Sequence, residues 1–306
     1  MSGSGSVRIG VDLGGTKIEA MAMDAAGQSL ARARVPTPAG DYHATVNAVA
    51  ELVADLEREL DLRGRVGIGT PGAVSAVSGC IKNANSTCLN DRPLKQDLEA
   101  ALQRPVRLAN DADCMALSEA VDGAGAGADS VFGVIIGTGT GGGIVVKGRL
   151  LAGPNRIAGE WGHNPLPWAG DDERPGPRCY CGKNGCIETF ISGPGLAADH
   201  HAVSGERCSA REIAERAELG DASAAATLER YVDRLARSLA VVINILDPHV
   251  IVLGGGVSKI SGLYAQVPQR WGRYVFSDRV ATRLLPALHG DASGVRGAAW
   301  LWAAGE

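Results

Sequence analysis

Val7-Arg-Ile-Gly-Val-Asp-Leu-Gly-Gly-Thr-Lys-Ile-Glu-Ala-Met-Ala-Met23 reads as an apolar strand, a glycine turn and a second, alternating strand. The same order returns at Val131-Phe-Gly-Val-Ile-Ile-Gly-Thr-Gly-Thr-Gly-Gly-Gly-Ile-Val-Val146, with Gly137 to Gly143 as the turn. Two copies of this hairpin predict two similar domains. Outward from the first copy, Ser29 to Val35 reads as a third strand. Between Tyr42 and Leu62, Val46, Val49, Leu52, Val53, Leu56 and Leu60 recur at helical spacing. Val66 to Gly69 and Val106 to Ala109 are short strands, and Asp111 to Val121 is a helix. The small-residue stretch Asp122-Gly-Ala-Gly-Ala-Gly-Ala128 is a candidate hinge. Outward from the second copy, Leu228, Val232, Leu235, Leu239, Val242, Ile243 and Leu246 mark a long amphipathic helix. It stops before Pro248, because the residue preceding proline is biased away from helix. Val250 to Leu253 is a buried strand, and Val295 to Trp302 a closing helix. Strands and helices mix throughout, so the class is α/β. The expected division is a small domain of residues 1–121, joined by 292–306, and a larger one of 122–291.

A length of 306 residues suits two domains. Hydrophobic residues at 45% and charged residues at 21% describe a soluble globular chain, not a disordered one. The 30 Lys and Arg against 34 Asp and Glu leave a net charge of −4 with no long like-charged run, which argues against a nucleic-acid or anionic-membrane partner. No apolar run reaches the ~18 residues that span a bilayer. Met-Ser-Gly-Ser-Gly-Ser at the start has neither the basic nor the apolar region of a signal peptide and reads as a tail. The expected location is cytoplasmic. The 7 cysteines, an odd number in a reducing compartment, argue against a disulfide framework. The 42 glycines imply many sharp turns or close backbone approaches.

Three glycine clusters follow apolar strands directly: Gly14-Gly15, Gly137 to Gly143, and Gly254-Gly255-Gly256. One alone is most simply a tight turn. Three in this position favour phosphate binding, because a glycine turn exposes N–H groups and removes the Cβ that would block a polyanion. Gly10 to Lys17 nearly has P-loop spacing, but Thr16 precedes Lys17, and a strand follows where a P-loop needs a helix. Gly137-x-Gly139-x-x-Gly142 matches the dinucleotide fingerprint in letters, yet again a strand follows, so no helix N-terminus is there to hold a pyrophosphate. Asp12, beside Gly14, either caps its turn or holds a hydrated Mg²⁺ between itself and a phosphate.

Two further groups carry chemistry. Cys179-Tyr-Cys-Gly-Lys-Asn-Gly-Cys186 packs three thiols closely, and with His163 they make a set suited to a structural, tetrahedral zinc. Three free core cysteines are the alternative. Cys80, Cys88, Cys114 and Cys208 read as core. Asn110-Asp111-Ala112 lies where a strand meets a helix; a carboxylate there either caps the helix or acts as a general base, and by itself the cap is the simpler reading.

With these pieces in place the chain resembles the ROK-family sugar kinases, and within them the bacterial fructokinases of manno(fructo)kinase type. The resemblance runs from Ile9 to about Trp302. It is carried by Asp12-Leu-Gly-Gly-Thr-Lys17, Lys82-Asn-Ala-Asn-Ser-Thr87, Ala109-Asn-Asp-Ala112, Gly137 to Gly143, Gly159-Glu-Trp-Gly-His-Asn-Pro-Leu-Pro-Trp168, Cys179 to Gly193, Asn244 to Gly256 and Gly294-Val-Arg-Gly-Ala-Ala-Trp-Leu-Trp302.

The resemblance implies the actin-like ATPase fold, two ribonuclease-H-like domains around a cleft, with the C-terminal helix packed on the first. It implies ATP and Mg²⁺ at Asp12, Gly14, Gly15, Thr16, Lys17, Gly137, Thr138, Gly139, Thr140 and Gly141, with adenosine near Gly254, Gly255 and Gly256. It makes Asp111 the base and sets sugar hydroxyls against Gly72, Asn85, Asn110, Glu160, His163 and Glu188. It implies a Zn²⁺ on His163, Cys179, Cys181 and Cys186, with the other nitrogen of His163 facing the sugar, and a homodimer. The implied reaction is phosphorylation of the 6-hydroxyl of D-fructose, with N-acetylglucosamine kinase of the same family as the closest alternative. Lys82 to Thr87 and Asn164 to Trp168 favour the fructokinase side. A ROK repressor would need a helix-turn-helix domain ahead of the first glycine turn, and a sugar sensor would be expected to lack Asp111.

Overall fold

A computed structural model describes residues 7–303; the tail expected at 1–6 lies outside the described residues. In chain order the first elements are β1 (Arg8–Leu13), β2 (Lys17–Met23), β3 (Ser29–Pro36), α1 (Tyr42–Leu60), β4 (Arg65–Thr70), β5 (Ala73–Val74), β6 (Ile81–Lys82), α2 (Leu94–Leu102), β7 (Val106–Asn110) and α3 (Asp111–Val121). Five of these strands form a sheet in the order β3-β2-β1-β4-β7. The β1–β2–β3 meander is antiparallel, and β4 and β7 join parallel. Val46, Val49, Val53 and Leu56 of α1 are buried with Ile9, Val11, Val66 and Ile68 of the sheet in one apolar cluster.

The chain continues with β8 (Ser130–Ile136), β9 (Thr140–Val146), β10 (Arg149–Leu150), α4 (Ile187–Ile191), α5 (Gly193–Ser204), α6 (Ala210–Glu218), α7 (Ala222–Leu246), β11 (Val250–Gly254), α8 (Leu263–Trp271), β12 (Arg283–Pro286) and α9 (Ser293–Trp300). The second sheet runs β10-β9-β8-β11-β12. Its hairpin followed by parallel strands repeats the plan of the first. Helix α7 starts on Asp221, whose side chain accepts from the Ser223 and Ala224 amides, and stops at Asp247 in a left-handed conformation (φ 47°).

The compact units are one that runs to Gly127, takes in Gly143–Ala158 and resumes at Asp291, and one of Ala128–Gly142 and Gly159–Gly290. The stretch 143–158 thus falls in the first unit, not in the second as the sequence suggests. The turn expected over Gly137 to Gly143 is also shorter, because β9 begins at Thr140. Gly142 and Gly143 serve close packing: a Cβ on Gly143 would lie 2.7 Å from the Ala112 carbonyl oxygen, and one on Gly142 2.9 Å from that of Gly159. Of the four cysteines read as core, Cys114 is buried, whereas Cys80, Cys88 and Cys208 are half-buried.

Helix α9 packs on the first sheet and on α3. A Cβ on Gly297 would lie 1.6 Å from the Cys114 carbonyl oxygen, and one on Gly10 1.9 Å from that of Val295. Backbone meets backbone here, with no flexible side chain to give way. Gly297→Ala is therefore expected to destabilise the first unit by about 1–3 kcal/mol, read as a lower denaturation midpoint with an unchanged slope. An unshifted midpoint would contradict this packing.

Candidate active site

The residues expected to act on phosphate in the first unit gather at the β1–β2 turn. Its Gly14 N–H donates to the Lys17 carbonyl (3.0 Å), and Thr37 braces it, its hydroxyl donating to the Gly14 carbonyl (2.7 Å) and its N–H to the Thr16 carbonyl (3.1 Å). Gly15, Thr16 and Lys17 are exposed. The Lys17 ammonium lies 3.6 Å from the buried Glu19 carboxylate, which also takes Arg32 and Arg34. Asp12 sits against the start of α9, where a Cβ on Gly294 would lie 3.0 Å from its Oδ2.

Burial pushes the Asp12 carboxyl up to about 6, with the charges of Asp111 and Glu19 adding to it and Lys17 opposing. Unfolded, the group ionises near 3.8. Between these values the folded chain holds a proton the unfolded chain has lost. The group's contribution to stability is therefore present at low pH and is lost as pH rises through about 6. Asp12→Asn is expected to raise the melting temperature of the ligand-free chain by about 2–4 °C at about pH 8, with little change near pH 4. Calorimetry across that range checks it; a lower melting point at pH 8 would remove Asp12 from its strained setting. A carboxylate held above its ordinary range by burial, with other carboxylates adding to it, fits a cation.

Asp111 opens α3 at the end of β7. The helix cap belongs to Asn110, whose side chain accepts from the Ala112 (2.8 Å) and Asp113 (3.1 Å) amides. The Asp111 carboxylate accepts a further contact from the Ala112 amide at 2.8 Å. Solvent reaches Asp111, but protein crowds its other sides, and this desolvation raises its carboxyl against the pull of the Ala112 amide and its own. The cap and the carboxylate are thus separate functions on adjacent residues, which the sequence alone left merged.

Gly72 (φ 75°) serves the loop from Lys82 to Thr87: a Cβ there would lie 2.4 Å from the Lys82 carbonyl oxygen. Asn90, which the sequence did not single out, pins the loop by accepting from the Ala84 amide and donating to its carbonyl, both at 2.9 Å. Asn85 is exposed on this loop, and Ser86 of the same loop lies beside Gly15.

In the second unit the turn Gly137–Gly139 is closed by the Gly137 N–H to the Gly139 carbonyl (2.9 Å) and anchored to α5 by the Gly193 N–H to the Gly137 carbonyl (2.8 Å). A Cβ on Gly137 or on Gly256 would meet nothing within 4 Å, so both present open backbone. The buried Thr140 hydroxyl finds no partner among the described residues. Such a cradle suits a phosphate-bearing ligand. Gly255 (φ 84°) instead makes a close approach, its Cβ position lying 2.4 Å from the Ile136 carbonyl oxygen.

Glu188 departs from the expectation that it faces sugar alone. Its Oε2 accepts from the Thr140 N–H at 2.8 Å, so it also holds the glycine turn. Glu160 is exposed at the start of the 3-10 turn Trp161–His163. That turn and the knuckle Cys179–Cys186 are joined by the Leu166 N–H to the Gly185 carbonyl and the Ile187 N–H to the Asn164 carbonyl, both 2.8 Å.

The join brings His163, Cys179, Cys181 and Cys186 together, their ligand atoms all within 4.8 Å of one another. The Cys179 Sγ lies 3.5 Å from His163 Nδ1, and the Cys181 and Cys186 sulfurs are 3.6 Å apart. A tetrahedral zinc with bonds of about 2.3 Å to sulfur and about 2.0 Å to nitrogen would set these pairs about 3.5 and about 3.8 Å apart. The donors fit. Burial pushes the Cys179 thiol up and that of Cys186 up to about 12, while the Lys183 N–H lowers Cys181. His163 Nε2, expected on the sugar, faces the Tyr180 hydroxyl at 3.0 Å. Tyr180 is a residue the sequence reading passed over; Glu188 and Glu160 lie near enough to help burial push its phenol up to about 12.

The ROK family model matches residues 8–304. The N-acetyl-D-glucosamine kinase of Vibrio atlanticus (strain LGP32) is 40% identical over 296 residues, covering 95% of this chain and 98% of that protein. That of Salmonella gallinarum (strain 287/91 / NCTC 13346) is 42% identical over 297 residues, with the same coverage of 95% and 98%. Among solved structures, the ROK hexokinase from Thermus thermophilus aligns with a TM-score of 0.85 at 34% identity over 96% of each chain. A ROK family glucokinase from Streptomyces griseus, in complex with glucose and AMPPNP, aligns with a TM-score of 0.78 at 30% identity over 97% of this chain and 99% of that one. The fold is accordingly the actin-like ATPase fold. D-fructose, the substrate implied by the motifs, is in none of these four names.

Proposed function

This chain belongs to the ROK family and is a sugar kinase, and we propose that it transfers the γ-phosphoryl group of Mg-ATP to the 6-hydroxyl of a hexose, N-acetyl-D-glucosamine before others. The observation that supports this substrate is 40% identity to an N-acetyl-D-glucosamine kinase over 95% of the chain.

In this reading Asp111 is the general base. A sugar hydroxyl releases its proton late, once its bond to phosphorus is forming, and a raised carboxylate is the stronger acceptor for it. The transition state is loose, so positioning and charge neutralisation supply most of the acceleration. Asp12 and the turn Gly14, Gly15, Thr16 and Lys17 hold Mg²⁺ and phosphates, as do Gly137, Thr138, Gly139, Thr140 and Gly141, with Gly254 to Gly256 toward adenosine. Asn85, Asn110, Glu160 and Glu188 hold sugar hydroxyls, on a backbone that Gly72 lets approach, and His163 joins them once the Tyr180 hydroxyl swings off its Nε2. Zn²⁺ on His163, Cys179, Cys181 and Cys186 would supply rigidity, locking Glu160 and Glu188 in place. The chain acts as a cytoplasmic homodimer; among the described residues no helix is long and apolar enough to cross a membrane.

A second reading, D-fructose, is favoured by the segments Lys82 to Thr87 and Asn164 to Trp168. ADP release with Mg-ATP, measured across N-acetylglucosamine, fructose, mannose and glucose, separates the two. A higher kcat/KM for N-acetylglucosamine is the expected result. Preference for fructose would keep the fold, the base and the metal but replace the substrate. No turnover with any sugar in folded, zinc-loaded protein would overturn the kinase chemistry.

A further inference from the structure

The connection between α5 and α6 brings together donors that the phosphotransfer reading does not use. His200, near the end of α5, is fully buried. Its Nδ1 lies 3.0 Å from the Thr227 hydroxyl oxygen. That oxygen has its other positions committed: it donates to the Ser223 carbonyl at 2.9 Å and accepts from Arg230 Nη2 at 3.2 Å. It can only accept from His200. Nδ1 is therefore the donor, and in the neutral imidazole, the form that ligates metals, Nε2 presents a bare lone pair. Among the described residues no partner reaches Nε2, which is buried. An acceptor stranded in this way costs free energy until a donor or a cation meets it.

Two other donors stand close by. A carboxylate oxygen of Glu206, the sulfur of Cys208 and a ring nitrogen of His200 all lie within 4.8 Å of one another. Glu206 is exposed and Cys208 half-buried, both on the connection 205–209 that follows the left-handed Gly205. A cation already lies against two of the three: Arg216 Nη1 is 3.1 Å from the Cys208 sulfur and is paired with Glu206. The guanidinium does not depend on them, since its Nε and Nη2 bond Asp221 at 2.9 and 2.7 Å.

We propose that His200, Glu206 and Cys208 form a second metal-ion site, separate from the Cys179–Cys186 knuckle, that takes a zinc-class divalent ion. Imidazole nitrogen, thiolate and carboxylate together match a borderline-soft ion and not Mg²⁺ or Ca²⁺. Three protein ligands leave a fourth position to water on the exposed side of Glu206. Bonds of about 2.0–2.3 Å bring ligand atoms to about 3.3–3.8 Å apart, so atoms already within 4.8 Å need only a small closure of the connection. On binding, the Cys208 thiol loses its proton to solvent and Arg216 falls back on Asp221. The bound ion staples the end of α5 to the start of α6.

The test is zinc content of the full chain after equilibration with Zn²⁺ and dialysis, for wild type, Cys208→Ser, Glu206→Gln and Cys181→Ser. The expected stoichiometry is about two zinc ions per chain in wild type and about one in each variant. Glu206→Gln keeps the test open should Cys208→Ser fold poorly, since Glu206 is exposed. Titration with Co²⁺ gives a second readout: the thiolate-to-cobalt absorption of wild type loses the share belonging to Cys208 in Cys208→Ser. Equal metal content in wild type, Cys208→Ser and Glu206→Gln overturns the site. One zinc in wild type that vanishes in Cys208→Ser but survives Cys181→Ser supports this site and removes zinc from the knuckle instead.

Discussion

Asp111→Asn is expected to lower turnover by about 10²–10⁴-fold while sugar binding, measured by calorimetry, stays within about threefold of wild type. The substitution keeps shape and hydrogen-bonding capacity but cannot take a proton. Helix α3 does not depend on the Asp111 side chain for its start, because Asn110 caps it. A fall in kcat can therefore be separated from a fall in stability. The residual rate measures what positioning and charge neutralisation achieve alone. Near-normal turnover would remove Asp111 from the role of base. Joint loss of turnover and sugar binding would make it a binding residue instead.

Loss of the metal proposed for the knuckle is expected to have the second large effect. Stripping Zn²⁺ with a chelator, or Cys181→Ser, is expected to weaken sugar binding by about 10–100-fold and to lower the melting temperature, with nucleotide binding failing last. The physical reason lies in how the segment is held. The Trp161–His163 turn and the Cys179–Cys186 knuckle share few backbone hydrogen bonds, and two of their thiols are pushed up by burial. With no metal, sulfurs 3.6 Å apart have little to hold them. Glu160 and Glu188 flank these segments, so their aim degrades first, whereas the Gly137–Gly139 turn keeps its own bond to α5 through Gly193. Zinc-free protein of full activity and unchanged melting temperature would overturn this assignment.

Much of the architecture was legible because it is local. Periodicity of 3.6 along Tyr42 to Leu60 and Ala222 to Leu246 reports which face of each helix is buried, whereas Ile18 to Met23 is buried on both faces of its strand. Asp247-Pro248 stops α7 through backbone sterics that need no tertiary context. The strand–turn–strand repeat, read at Val7 and again at Val131, recurs in the two five-stranded sheets. The extent of the second glycine turn was not legible, because Gly142 and Gly143 are small to admit neighbouring backbone, and sequence does not say which backbone arrives.

At the site, sequence by itself determined the chemical inventory: the Asn110-Asp111 junction, three glycine clusters after strands, and three thiols with one imidazole. Only the tertiary structure decided who meets whom. It gave the cap to Asn110, turned a Glu188 oxygen to the Thr140 amide, set Tyr180 on His163, and gathered His200 with Cys208 away from the core in which that cysteine was expected. The reason is physical: a residue type fixes what a group can donate, accept or ligate, while its partner, its burial and hence its protonation depend on chain that is distant in sequence and near in space.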